Sequence, residues 1–523
     1  MGRRLALAVG CLALLAAGCT DSGSKGSSDD DAAGSSSAQA PREREATVAK
    51  AEVTAYPDDK VSLESDPTFD LADKGYEQSE FKLRGTATSF TSSAPLSADG
   101  KWSIEKGPQA PYTTRIVVQR PAKKADFNGT VIVEWLNVSG GVDASPDLNQ
   151  SHVELYRQGY AWVGVSAQQT GVDALKKPPN PSAPTSSNPE RYADLTHPGD
   201  SYSYDMYSQA GQAVWQQADQ VLGGYTPDRI LAIGESQSAG RMLTYIDAAN
   251  PTAKVFDGFL VHSRFTSGAA LTQAPLPALA PEGATQIRTD TKAPVLAFQT
   301  ETDSPGIAAR QDDTDTYRLW EVAGTAHYDR YGLLNGKEDQ GDAAGAAAWF
   351  DGLQHPTMDA GPLSCAVAVN SGPQTYALRA AVRALNEWVT TGKPPKSMPR
   401  LEVADGADVS NQNVVPYKLD ETGIALGGIR SPAVDAPVAV LSGGGQPTTR
   451  GDTTNQNDLQ RFCFLFGTTK PLTDDQLKSA YTDHDGFVKA WGKAADDAVD
   501  SGYLLREDAD LLKKAAEDSA VLR

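Results

Sequence analysis

Positive charge is in deficit in this 523-residue chain, where 47 Lys and Arg stand against 67 Asp and Glu for a formal net charge of -20. That balance argues against nucleic acid or an anionic membrane surface as a partner, and it acts mainly on solubility. Beyond the first residues no apolar run approaches the roughly 20 residues needed to cross a bilayer. His-Glu-x-x-His, paired Cys-x-x-Cys and a calcium loop of the right spacing are all missing, so no metal is expected. Neither a phosphate loop nor a Gly-x-Gly-x-x-Gly after a strand occurs, and no cofactor is required. Aromatics are sparse, charged residues are ordinary in number, and no internal repeat is visible; the bulk of the chain reads as a soluble globular protein.

Cysteine is scarce too, with four in all. Arg3 and Arg4 form a basic start, Leu5 to Leu15 an apolar core, and Ala16-Ala17-Gly18-Cys19 a small-residue site ending in cysteine. This resembles a bacterial lipoprotein signal over residues 1–18, in which Cys19 becomes the lipidated terminus and holds the protein to the outer side of the cell membrane. Cys11 leaves with the signal. Residues 19–50, mostly Ser, Gly, Asp and Ala, are expected as a disordered tether, because such a tract cannot bury enough surface to offset its chain entropy. Cys365 and Cys463 remain. In an oxidising compartment they are expected to form one disulfide, worth roughly 4 to 5 kcal/mol for a loop of about a hundred residues, with two buried free thiols as the alternative.

From residue 51 the pattern alternates. Glu80 to Phe90, Lys101 to Glu105 and Thr113 to Gln119 read as strands, and Gly129 to Val138 as a strong one followed by the flexible Ser139-Gly140-Gly141. A helix near Ser151 to Gln158 leads to a strand over Gly159 to Ser166, the alternation of a doubly wound α/β sheet. Residues 170–203 are rich in Pro, Ser and Asn without periodicity and are expected as an irregular cap or binding loop. Tyr207, Ala210, Val214, Ala218 and Val221 then fall at helical spacing. The core is expected to run to about residue 400. A C-terminal extension, 401–523, is expected to pack on it as the same unit, with a Thr473/Gln476 capping box opening its last helices.

Arg229 to Ile233 forms a short buried strand, Gly234-Glu235-Ser236-Gln237-Ser238 a turn, and a helix follows through Leu243 and Ile246. A serine on such a strand-to-helix turn is pushed above the sheet edge, which makes Ser236 the candidate nucleophile. Ser238 stands where a second glycine is usual, a position that needs a small side chain. A serine hydroxyl needs a base at neutral pH, and the base needs an orienting carboxylate. The strand Pro294 to Gln299 runs into Glu301 and Asp303; the strand Arg318 to Val322 runs through Gly324 into His327. His327 is therefore the base and Asp303 the acid, with Glu301 as rival. The oxyanion is assigned to the Gln237 N–H and to an N–H of Ser139 or Gly140. His197, Gln168 and Tyr328 are candidate substrate contacts. His262 also follows a strand, but no carboxylate strand end lies between it and Ser236. His152, His355 and His484 carry no stronger reading than helix or loop residues.

Five separated blocks now agree in order: Val133 to Gly141, His197 to Asp205, Gly234 to Ser238, Ala323 to His327 and Gly427 to Asp435. Together they resemble the bacterial "alpha/beta hydrolase domain" family from about residue 50 onwards. The resemblance implies the α/β-hydrolase fold with Ser236 and His327 in catalytic roles, and a downstream third that belongs to the same unit. The function expected is a membrane-anchored, extracytoplasmic serine hydrolase of a small-molecule or polymer ester. An acyltransferase using the same acyl-enzyme and a non-catalytic binding lipoprotein on the same scaffold are the alternatives.

Overall fold

The structure, a computed structural model, describes residues 44–58, 60–179, 187–360, 363–410, 415–446 and 459–523. The expected leader, Cys19 and most of the expected tether lie outside these residues. Residues 44–50 of that tether lie inside and are seated on the body of the protein: Arg44 pairs with Asp257 and donates to the Val255 carbonyl (3.1 Å), and the Thr47 N–H donates to Gln212 Oε1 (3.0 Å).

Nine strands form one sheet: β1 (Glu52–Ala55), β2 (Tyr76–Thr91), β3 (Glu105–Pro121), β4 (Thr130–Trp135), β5 (Ala161–Val165), β6 (Arg229–Glu235), β7 (Gly258–His262), β8 (Val295–Thr300) and β9 (Tyr317–Val322). Their spatial order is β1-β2-β3-β5-β4-β6-β7-β8-β9, antiparallel from β1 to β5 and parallel from β5 through β9. Residues Lys101 to Ile104, expected as strand, lie outside it. The parallel strands are mostly apolar because both of their faces are covered, with Glu134 in β4 and Arg318 and Glu321 in β9 among the exceptions. Val131, Val133, Ala232, Phe259 and Val261 pack under the Ser203–Gln216 helix and the helical run that starts at Gln237. The intervening Ile132, Leu231, Ile233 and Leu260 pack under the Pro146–Arg157 and Gln374–Thr391 helices. The side-chain period of two thus sends alternate residues into two cores.

The segment expected as an irregular cap is more tightly held than that reading implied. Gln169–Leu175 is helical, and Tyr192 is fully buried, its hydroxyl donating to Glu80 Oε1 (2.8 Å). Glu80 in turn pairs with the buried Arg115 (2.8 Å), which also meets Asp143 (3.3 Å). A charge buried on this scale persists only when paired, so Tyr192 is fixed by the same ion cluster that anchors β2 to β3.

The downstream third joins the sheet through a parallel bridge between Val322 and Ile429. Its last helices, His484–Ser501 and Arg506–Asp518, share a hydrophobic cluster with the Ala343–Gln354 helix, and Asp508 is bonded by Arg157 (2.9 Å) and Arg379 (3.4 Å) from the helices that cover the sheet. The capping box at Thr473 and Gln476 is present. Cys365 and Cys463 are bonded, 98 residues apart in sequence. Among the described residues no helix is long and apolar enough to cross a membrane.

Candidate active site

β6 ends at Glu235 and a helix opens at Gln237, leaving Ser236 on the turn with φ 59° and ψ -118°. Such a conformation is costly for a residue with a Cβ and is held by its surroundings. The Ser236 N–H donates to the His262 carbonyl of β7 (2.9 Å). Gly234 is favoured by close approach, since a Cβ there would lie 3.1 Å from the Ser238 carbonyl oxygen and would need that turn to give by a few tenths of an ångström. Ser238 serves in the second small position because it is buried and its hydroxyl finds the Leu136 carbonyl (3.3 Å).

β8 and β9 bring the other two groups. The Thr300 N–H and hydroxyl both donate to Asp303 Oδ2 (2.7 and 2.8 Å), which leaves Oδ1 for His327 Nδ1 at 2.6 Å. The His327 N–H donates to Thr302 Oγ1 (3.1 Å), and its Nε2 lies 2.7 Å from Ser236 Oγ. A carboxylate accepts only, so the ring proton sits on Nδ1 and Nε2 is free to accept from the serine hydroxyl. Phe265 stacks over the imidazole, ring centres 5.0 Å apart and planes within 19°. Ser236 is 8% exposed and His327 2%.

Residues 39–514 match the family described as Alpha/beta hydrolase domain. The chain belongs to this family. No curated protein matches it. Similar solved structures include a glucuronoyl esterase from Solibacter usitatus, at 10% identity over 54% of this chain and 83% of that one, TM-score 0.27. Others are the esterase domain of a Rhodothermus marinus protein (13% identity, 46% and 86%, 0.23) and a thermostable esterase from Pseudomonas putida (13%, 49% and 75%, 0.25).

In this alpha/beta hydrolase domain the rival acid is engaged elsewhere. Glu301 accepts from the Gly324 N–H (2.5 Å) and the Gly443 N–H (2.8 Å), tying the β9 turn to the downstream third. Burial pushes its carboxyl up to about 7, from an ordinary 4.5, against the pull of those two donors. The folded state thus holds this proton more tightly than the unfolded chain, so the associated stability is full below pH 4.5 and is lost as pH rises through 7. Glu301→Gln is expected to remove about 3 kcal/mol from the decline in unfolding free energy between those limits. Urea titrations of both proteins across that range check it, and parallel curves would refute it.

One expectation needs correction. The Ser139 N–H is taken by Asn137 Oδ1 (2.8 Å) and is not free for an oxyanion; Asn137 is itself held to β6 through the Glu235 carbonyl and Oε2 (both 3.1 Å). Among the described residues the N–H groups of Val138, Gly140 and Gln237 have no protein acceptor. The three expected substrate contacts each make internal bonds. His197 uses both ring nitrogens on backbone, at Ala167 and Gly199 (both 3.1 Å). Gln168 accepts from the Trp135 indole (3.1 Å), and the Tyr328 hydroxyl bonds Asn149 (2.9 Å) and Gly332 (3.1 Å). His152 is likewise buried between backbone carbonyls, while His355 follows the end of the Ala343–Gln354 helix and His484 opens the His484–Ser501 helix.

Glu235 went unnoticed in the sequence. Its Oε1 is 3.4 Å from His327 Nε2, and burial, reinforced by Asp147, Asp303 and Glu134, raises its carboxyl well above the usual range. A carboxyl whose ionisation burial opposes is a weaker rival to Asp303 for the charge of the imidazole. The one signal was a charged residue closing a strand whose interior, Ile230 to Gly234, carries no polar side chain.

Proposed function

We propose that the protein is an extracytoplasmic serine hydrolase that cleaves a carboxylic ester through an acyl-enzyme. Ser236 Oγ attacks the carbonyl carbon as its proton passes to His327 Nε2, and Asp303 holds the ring and stabilises the imidazolium. The carbonyl oxygen, now negative, is met by the Gln237 N–H at the helix start and by the free N–H groups of Val138 and Gly140. The tetrahedral adduct collapses, the alkoxide leaves with the proton from His327, and an ester to Ser236 remains. Water then repeats the sequence with the same base and releases the acid.

One observation carries this reading: the unbroken line from Asp303 Oδ1 through His327 to Ser236 Oγ, at 2.6 and 2.7 Å. The Cys365 to Cys463 bond supports a location outside the reducing cytoplasm, as does the leader's resemblance to a lipoprotein signal. A fluorophosphonate probe tests the assignment. The adduct is expected on the peptide that contains Ser236, with no labelling of Ser236→Ala; an adduct on another residue, or none in the parent, would end it. A panel of p-nitrophenyl esters then defines the acyl group accepted.

A further inference from the structure

Behind the reacting line runs a second one, made of residues from three other elements. Asp147 stands in the first turn of the Pro146–Arg157 helix, His262 ends β7, and Gln374 opens the Gln374–Thr391 helix; all three are buried. Asp147 Oδ1 lies 2.8 Å from His262 Nδ1, and His262 Nε2 lies 3.0 Å from Gln374 Nε2. Gln374 Nε2 reaches on to the backbone carbonyl of His327 at 3.2 Å.

We propose that Asp147, His262 and Gln374 form a positioning line that sets the backbone of His327, and with it the aim of its imidazole at Ser236. This rests on the reading of Ser236 and His327 as nucleophile and base.

The direction of every bond in the line follows from its ends. A backbone carbonyl can only accept, so the atom of Gln374 facing His327 is the amide nitrogen. The other end of the amide agrees: Gln374 Oε1 accepts from Gln150 Nε2 (3.2 Å), which also donates to the Asp329 carboxylate (3.1 Å). Since the Gln374 nitrogen donates, His262 Nε2 must be the bare, accepting nitrogen. Its proton is then on Nδ1, donated to Asp147. His262 is thereby locked in one neutral tautomer, the same one that His327 adopts above it. Were His262 to carry a proton on Nε2, two N–H groups would face each other, and the amide could relieve that only by turning and giving up the His327 carbonyl.

The same residue reaches the nucleophile by its main chain, because the His262 carbonyl accepts the Ser236 N–H (2.9 Å). One side chain and its own backbone therefore hold reference points on both reacting residues. Phe298 meets the His262 ring edge-on, 5.0 Å between centres, which leaves it little room to tilt. Glu134 holds the Asp147 and Leu148 N–H groups (3.1 and 3.0 Å) and so fixes the first turn from which Asp147 extends. A buried polar network of this kind adds stability only weakly over an apolar one, which makes orientation its more natural use.

Gln374→Met keeps the length of the side chain and removes both N–H bonds. Asp147→Asn keeps the shape and frees the tautomer, since an amide can donate to Nδ1. Both are assayed on a p-nitrophenyl ester, with kcat expressed per site titrated by fluorophosphonate, so that loss of folded protein does not count. Gln374→Met is expected to lower kcat by about 10²-fold with KM nearly unchanged, the size of effect that small misplacement of a catalytic group produces. Asp147→Asn is expected to lower it less, and the double variant to lose less than the product of the two losses. In the parent, nitrogen chemical shifts of ¹⁵N-labelled histidine are expected to give His262 as the Nδ1–H tautomer. An Nε2–H signal, or either variant retaining parental kcat per titrated site while only its melting temperature falls, overturns the positioning role. Ser236→Ala run alongside separates the two ideas. If it keeps labelling and turnover, the nucleophile assignment fails and this inference falls with it; if it is inert while Gln374→Met is fully active, only the positioning line is lost.

Discussion

Ser236→Ala and His327→Ala are each expected to lower kcat on a p-nitrophenyl ester by about 10⁶-fold, and the double variant to be no slower than either alone. The reason is that the two side chains act as a unit. Without the imidazole 2.7 Å away the hydroxyl has no base, and without the hydroxyl the imidazole has nothing to activate. Residual turnover of about 10³-fold to 10⁴-fold over the reaction in water should survive all three, carried by the oxyanion N–H groups and by binding. Alanine carries the same Cβ as serine into the φ of 59°, so Ser236→Ala meets no new backbone strain and should melt with the parent. Losses that multiplied in the double variant would mean that the two residues serve separate steps.

The elbow was legible because strand, turn and helix are contiguous in sequence: an apolar run, a serine between small residues, and helical spacing after it. His327 was legible for a related reason, being five residues past the end of β9. What escaped the sequence depends on chain segments meeting from far apart. Asp147 is 115 residues from His262, so the carboxylate that partners that histidine has no local trace, and His262 could be set aside as a base but not given its own place. The position of β5 between β3 and β4 and the seat of Ile429 beside β9 are likewise decided by packing. Ser139 was misread on different grounds. Asparagine two residues ahead captures its N–H in a local turn, a habit of Asn side chains that the glycines after it obscured. Tyr192 fell in a stretch whose Pro and Ser content reads as loose, and only its burial against Arg115 and Glu80 shows otherwise.

Glu301 and Asp303 could not be separated by position, since both follow β8 and lie two residues apart. The 3₁₀ segment Glu301–Ala309 is kinked at Asp303, and the two carboxyls leave it toward different partners, Glu301 to the Gly324 and Gly443 N–H groups and Asp303 to His327. Asp303→Asn is therefore expected to lower kcat by about 10⁴-fold, through the tautomer and not through loss of contact. The two donors on Thr300 hold whichever oxygen the side chain offers, so the amide oxygen takes the place of Oδ2 and the NH₂ turns toward His327. An NH₂ can only donate, which forces Nδ1 to accept and moves the ring proton to Nε2, where it faces Ser236 Oγ and blocks the transfer. Glu301→Gln should instead leave kcat close to that of the parent, because the Glu301 side chain bonds only the Gly324 and Gly443 N–H groups, one of which the amide oxygen still accepts, and the site keeps its Asp303 carboxylate. Saturating-substrate rates for both variants on one ester settle the assignment. A 10⁴-fold loss in Glu301→Gln with Asp303→Asn near parental would exchange the two roles, and would require the 2.6 Å contact of Asp303 with His327 to give way to Glu301 when substrate binds.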